Sequence, residues 1–203
     1  DYNNVYLGKS ALLNTVIPPF YAANQAGVAT FMNAFNDIDG VPSTANDYLL
    51  KDLLRDEWKF DGFVVSDWNS IGEMVFHGTS SDEKEASQYA INAGTDMDME
   101  ADAYIENLKE LVQSGKVSEA TINQAVRRIL RVKYRLGLFD DPYRYSDVSR
   151  EKVTLLNEAH LNVARDIARK SIVLLKNENN LLPVNNPNNF AIIGPLAKDK
   201  DSP

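Results

Sequence analysis

Apolar and polar positions repeat along this chain in a fixed order: an amphipathic stretch ends at a glycine, and a short β-prone run follows at once. The glycines are Gly27, Gly62 and Gly94. The runs are Val28-Ala29-Thr30-Phe31-Met32, Phe63-Val64-Val65-Ser66 and Thr95-Asp96-Met97-Asp98-Met99. Each run suits a strand, and a glycine just past a helix suits the left-handed C′ position. Before Gly62, the residues Leu49, Leu50, Leu53, Leu54 and Trp58 fall at the i, i+3, i+4 spacing that buries a stripe against a sheet. They predict a helix starting near Ser43 or Thr44. Ser80-Ser81-Asp82-Glu83 predicts a capping box for the next helix, whose Ala86, Tyr89, Ala90 and Ala93 give a small apolar face. Two more helices are predicted over 104–113 and 118–136, ending at Gly115 and Gly137, the second with Ile122, Val126 and Ile129 on one side.

Strands alternating with helices imply parallel pairing through right-handed crossovers. The fold class is therefore α/β, either a doubly wound sheet or part of a (β/α)8 barrel. A complete barrel takes roughly 250 residues, and three strands cannot close one. On the barrel reading, residues 1–137 are the C-terminal part of a TIM barrel. After Leu138-Phe139 the chain turns to Asp140-Asp141-Pro142-Tyr143-Arg144-Tyr145-Ser146, where proline and acidic residues end the helical pattern. An inter-domain linker is expected over 138–156. The start of a second α/β sandwich domain is expected over 157–203. It holds a helix over about 155–170, a strand-like Ile172-Val173-Leu174-Leu175, a polar turn over 177–180, and a strand Phe190-Ala191-Ile192-Ile193 stopped by Gly194-Pro195.

Composition narrows the function classes. With 44% hydrophobic and 25% charged residues in 203, the chain has the make-up of an ordinary globular protein rather than a disordered one. A formal net charge of −8 argues against a nucleic-acid partner and leaves room for a neutral ligand. There is no cysteine, hence no disulfide framework and no thiolate metal site. No apolar run approaches the roughly 20 residues that span a bilayer, so no membrane insertion is expected. The opening Asp1-Tyr2-Asn3-Asn4 lacks the regions of a signal peptide and fits the middle of a longer chain.

In a parallel α/β protein the loops after the strands' C-terminal ends build the site. For the middle run these positions are Asp67 and Trp68. A carboxylate there can act as nucleophile, general base or metal ligand, and an adjacent indole offers the flat face on which sugar rings stack. The same position suits a turn-capping aspartate and a tryptophan plugging the rim, and spacing alone leaves both open. A metal shared by Asp67, Asp96 and Asp98 would need more oxygen ligands than can be placed here, so no metal is expected. His77, in His77-Gly78-Thr79, is a candidate proton shuttle or a locally hydrogen-bonded loop residue. His160, beside Glu158 and Arg165, suits a surface. Neither a Gly-x-Gly-x-x-Gly run nor a Gly-Lys-Ser/Thr loop follows any strand, so nucleotide chemistry and cofactors are not expected.

Along essentially its whole length the chain resembles the family 3 glycoside hydrolases, the bacterial periplasmic-type β-glucosidases in particular. The resemblance rests on Pro18-Pro19-Phe20, Ala26-Gly27-Val28, Asp39-Gly40-Val41-Pro42, and Leu53-Leu54-Arg55 through Phe60-Asp61-Gly62-Phe63-Val64-Val65-Ser66-Asp67-Trp68. It continues in His77-Gly78-Thr79, Ala93-Gly94-Thr95-Asp96-Met97, Gly137-Leu138-Phe139, Asp141-Pro142-Tyr143, Leu174-Leu175-Lys176-Asn177 and Leu182-Pro183. It implies that Asp67 is the catalytic nucleophile, that Trp68 walls the sugar site, and that Met32 and Phe35 line the glucose subsite. Many members carry tyrosine where this chain has Phe35, so one hydrogen bond to the nucleophile is absent.

The resemblance further implies release of terminal β-D-glucose from β-glucosides and oligosaccharides by a retaining mechanism, in the periplasm or outside the cell. The partners are a small carbohydrate substrate and the remainder of its own chain. Further sugar-binding residues belong to barrel strands before Asp1, and the acid/base glutamate to the second domain beyond Pro203. On that account the 203 residues alone are expected to be inactive. A β-xylosidase of the same family and a non-catalytic carbohydrate-binding relative are the alternatives.

Overall fold

In the computed structural model, which describes residues 3–186 and 191–198, the runs after Gly27 and Gly62 fold as strands and pair in parallel. The chain divides into two units, Asp1–Ser146 and Asp147–Pro203. Unit one begins with β1 (Asn4–Val5), two helical turns at Lys9–Ala11 and Leu12–Val16, and α1 (Ile17–Gln25). It continues through β2 (Thr30–Met32), β3 (Asp37–Ile38), β4 (Val41–Pro42), α2 (Tyr48–Glu57) and β5 (Phe63–Val65). Then follow α3 (Ser70–Phe76), α4 (Glu83–Ala93), α5 (Ala103–Gln113) and α6 (Glu119–Arg135). Helices thus separate the parallel strands, and the fold is α/β.

The register of the main pair is Thr30 to Phe63, Phe31 to Val64 and Met32 to Val65. The third run, expected as a full strand, contributes one parallel bridge, Val65 to Met97. Its neighbour explains the shortfall. The Asp96 carboxylate, rather than a backbone carbonyl, accepts the Val64 N–H at 2.9 Å, while the Val64 C=O accepts both Asp96 N–H at 2.9 Å and Met97 N–H at 3.0 Å. A side chain has taken a rung of the ladder, and the regular pattern stops there.

A second sheet was not foreseen. β1 runs parallel to β3, and β3 turns back antiparallel into β4 through Asp39 and Gly40, at φ 51° and 82°. Two consecutive positive φ values are the requirement of a type I′ hairpin, and Asp-Gly was its legible signal.

The glycines play two different parts. Gly27 and Gly94, at φ 84° and 112°, occupy the left-handed positions expected of them. Gly62 does not; after α2 that conformation falls to Lys59 at φ 56°. At Gly62 the constraint is space, because an added Cβ would lie 2.0 Å from the Ala29 carbonyl oxygen and 2.6 Å from the Phe60 ring. Backbone cannot yield as a side-chain tip can, so Gly62→Ala is expected to cost about 3 kcal/mol, the upper range for overpacking. Gly27→Ala, with open space around its Cβ, should lose only the left-handed penalty of about 1–2 kcal/mol. Urea unfolding of both variants checks this, and equal losses would remove the argument for close approach.

The predicted apolar stripe of α2 is largely buried. Leu50 and Leu54 pack with Phe60, Val64 and Ala93, while Phe31, Leu49 and Trp58 close over them, and Phe31 meets Phe60 edge-on at 4.9 Å. On α4, Ala86, Ala90 and Ala93 are buried, but Tyr89 is not: Ile91 enters the core instead and the Tyr89 hydroxyl donates to Glu85. The α4 cap sits later than expected. Asp82 accepts the Glu85 N–H at 2.8 Å, and Glu85 reaches back to the Ser81 N–H at 2.7 Å, which pulls its carboxyl down to about 2. On α6, Ala125 and Val132 face inward, and Val126 is exposed.

Unit two differs from expectation. The helix expected over 155–170 is α8 (Glu158–Ser171), opened where Asn157 caps the His160 N–H at 2.9 Å; a further helix, α7 (Val148–Thr154), lies before it in the stretch expected as linker, and Leu156 at φ 51° parts the two. Ile172–Leu175 forms no strand, nor do Ala191, Ile192 and Ile193; Phe190 lies outside the described residues. β-prone residues become a strand only against a neighbour that takes their N–H and C=O groups, and unit two supplies none among the described residues.

Candidate active site

Asp67 lies two residues past the end of β5, and the structure holds its backbone from several sides. Ser66 N–H donates to Met97 C=O at 2.9 Å, one of the two bonds that make the Val65 to Met97 bridge. Asp67 C=O accepts the Ser66 hydroxyl at 3.0 Å and the Ser70 N–H at 3.1 Å, the second bond opening α3. Asn69, at φ 53° in the left-handed region, donates its N–H to Met99 C=O at 2.9 Å. The carboxylate oxygen Oδ1 accepts the Trp68 N–H at 2.6 Å. The side chain is half-buried, and Trp68 beside it is 60% exposed.

Met32 ends β2 in register with Val65, so it stands on the strand neighbouring the one that leads to Asp67. It is 52% exposed, which is unusual for a strand-end methionine unless something else covers it. Phe35 follows three residues later in the same loop and is half-buried. All four expected residues therefore belong to the C-terminal ends of two adjacent parallel strands, Asp67 and Trp68 after one, Met32 and Phe35 on the other.

Buried polar groups tie these loops together. Asn33 donates its N–H to Val65 C=O at 3.0 Å and accepts the Thr95 hydroxyl at 3.1 Å. That hydroxyl is shared with Thr44 C=O at 2.8 Å, and the Thr44 and Ser70 hydroxyls meet at 3.0 Å. All four side chains are buried. The chain of bonds runs from the loop after β2 to the first residue of α3, and it fixes both against the segment after α4.

The other candidate carboxylates are committed elsewhere. Asp96 accepts Arg55 at 2.7 Å and the Val64 N–H through one oxygen, and Arg128 at 2.7 Å through the other. Burial pushes its carboxyl up, and the two guanidiniums pull it back. Asp98 accepts the Tyr104 N–H at 3.2 Å at the start of α5, and burial raises its carboxyl too. Among the described residues no group of three or more His, Cys, Asp or Glu side chains is placed to hold a metal ion. His77, at the end of α3, bonds through Nδ1 to Asp37 on β3 at 2.8 Å. It joins β3 to the end of α3, a pairing across 40 residues that no local pattern signals. His160 is exposed, as a surface role requires.

Residues 1–132 match the profile of the Glycosyl hydrolase family 3 N terminal domain. The chain is 41% identical over 200 residues to a periplasmic beta-glucosidase of Salmonella typhimurium, covering 97% of this chain and 26% of that one. It is 40% identical over 205 residues to a beta-xylosidase of Formosa agariphila, covering 96% and 28%. Among solved structures, a beta-glucosidase from Listeria innocua superposes with a TM-score of 0.79 at 41% identity, covering 91% of this chain and 25% of that one. The same Listeria protein has been crystallised in complex with glucose, with a TM-score of 0.77 at 41% identity over the same shares. The chain therefore spans about a quarter of the length of the relatives it matches.

Proposed function

The chain belongs to glycosyl hydrolase family 3, and from that premise we propose that it carries the nucleophile half of a retaining β-glucosidase's active site. β2, β5 and the segment bridged at Met97 occupy consecutive strand positions of a (β/α)8 barrel whose other strands lie elsewhere in a longer polypeptide. The boundary between units at Ser146 and Asp147 supports reading 1–137 as barrel, 138–156 as crossing and 157–203 as the opening of a second α/β domain. The observation carrying the functional reading is the position of Asp67: a half-buried carboxylate just past the C-terminal end of a parallel strand, its backbone hydrogen-bonded to neighbouring residues and its Oδ1 bonded to the Trp68 N–H, with an exposed indole beside it.

Asp67 attacks the anomeric carbon of a terminal β-glucoside, the aglycone leaves with a proton from a glutamate outside this chain, and water cleaves the glycosyl-enzyme. A retaining pair of carboxyls stands about 5–5.5 Å apart, so the second carboxyl must be brought over the strand ends. Trp68 and Met32 supply apolar surface to the sugar ring, and Phe35 supplies ring packing without a hydroxyl. The name of the Salmonella relative supports a periplasmic or secreted setting.

Labelling tests this most directly. Incubated with a 2-deoxy-2-fluoro-β-glucoside, which slows breakdown of the covalent intermediate, the full-length protein is expected to yield an Asp67 peptide heavier by one fluorosugar. A label on another residue, or none, would overturn the assignment. The 40% identity to a beta-xylosidase supports a second reading with pentose as the substrate. A higher kcat/KM for aryl xyloside than for aryl glucoside would select it.

A further inference from the structure

Ser66 is completely buried, and its hydroxyl both donates and accepts a hydrogen bond. It donates to the Asp67 carbonyl at 3.0 Å and accepts the Met99 N–H at 2.8 Å. With Ser66 N–H on Met97 C=O and Asn69 N–H on Met99 C=O, three bonds close the 66–69 turn onto the segment 97–99. The pair Asp67 and Trp68 sits between these anchors. Met97 and Met99 each lend backbone to the clamp, and the Ser66 N–H to Met97 C=O bond is itself half of the Val65 to Met97 bridge.

The carboxylate itself has one local bond, to the next residue's N–H. Its place relative to a substrate is therefore set by the peptide that carries it. Of the two groups on the Asp67 carbonyl, Ser70 N–H belongs to the same turn, whereas the Ser66 hydroxyl connects that carbonyl to the segment 97–99. We propose that Ser66, through its hydroxyl bridge between the Asp67 carbonyl and the Met99 N–H, is the positioning residue that fixes the Asp67 carboxylate for attack. The proposal rests on the reading of Asp67 as nucleophile. A side chain that must approach within bonding distance of one carbon loses rate steeply with displacement, up to about 100-fold for about 1 Å.

The test is the rate at which a 2-deoxy-2-fluoro-β-glucoside with a dinitrophenolate leaving group inactivates the full-length protein, which reports the first covalent step. Ser66→Ala is expected to slow inactivation by about 10- to 100-fold while the inhibition constant for glucose stays unchanged. Ser66→Cys, which keeps the shape with a somewhat larger atom and weakens the hydrogen bonds, is expected to slow it as well and serves where the alanine variant does not fold. Ser87→Ala is the control: Ser87 is equally buried, and its hydroxyl bonds Glu83 C=O at 2.8 Å and Ala103 C=O at 3.0 Å, inside the helical layer. It should lose stability and keep the parent rate. Parent-like inactivation of the Ser66 variants, or equal slowing in Ser87→Ala, would overturn the proposal. If the parent protein carries no label on Asp67, the nucleophile reading has failed and this inference falls with it; if the parent labels normally, the Ser66 comparison stands alone.

Discussion

Asp67→Asn in the full-length protein is expected to lower glucoside hydrolysis by about four to six orders of magnitude, the loss typical of removing a covalent nucleophile, with the fold unchanged. The substitution separates the two roles the sequence left open. As a turn former, Asp67 contributes one side-chain bond, Oδ1 to the Trp68 N–H at 2.6 Å, and an asparagine oxygen accepts the same bond. As a nucleophile it contributes a charge that asparagine lacks. Stability should barely move while turnover disappears, and activity within tenfold of the parent would leave only the structural role. Asp67→Gly goes further by opening space for a small anion. With azide present, attack at the anomeric carbon from the face vacated by the carboxylate expels the aglycone and gives the α-glucosyl azide. A β-configured product would mean that Asp67 had been the acid/base group.

The strand leading to this residue was legible because Phe63-Val64-Val65 combines β-prone residues with a preceding amphipathic helix, and both cues agree with the fold. Local agreement failed where a long-range partner decided the outcome. Thr95–Met99 has the make-up of a strand, yet Asp96 turns its carboxylate to Val64 and two arginines, one of them 41 residues away. Gly62 was legible as punctuation but not as the point where two backbones pass, since Ala29 lies 33 positions earlier in the chain. The same limit applies at the site. The pair Asp67 and Trp68 could be picked out from its place after a strand; Ser66, Asn69 and the Met97 to Met99 segment could not, because what they do is set by bonds between segments about 30 residues apart. In unit two the β-prone run Ile172–Leu175 carries the propensity without the neighbour, and propensity alone makes no strand.

Asp96→Ala is expected to cost about 3–5 kcal/mol of unfolding free energy, the range for breaking a buried ion pair from one side. Asp96 is 1% exposed at its side chain, against 10% for Arg55 and 23% for Arg128. Removing it leaves two guanidiniums facing each other in a site with little water, and leaves the Val64 N–H without its acceptor. Burial already holds Arg55 down to about 10, with Asp96 the principal influence opposing that fall. Arg55 also donates to Phe60 C=O at 2.9 Å and Gly62 C=O at 2.7 Å, so the loop entering β5 is secured by the same side chain. The loss should therefore reach the strand that carries Asp67. Urea unfolding of the chain gives the single-variant value, and a cycle with Arg55→Leu apportions it. Because Asp96→Ala strands a charge that Arg55→Leu removes, the double variant should be more stable than the sum of the two losses predicts. Strict additivity would show that the pair does not act as a unit, and a loss under 1 kcal/mol for Asp96→Ala would show that water already compensates the arginines.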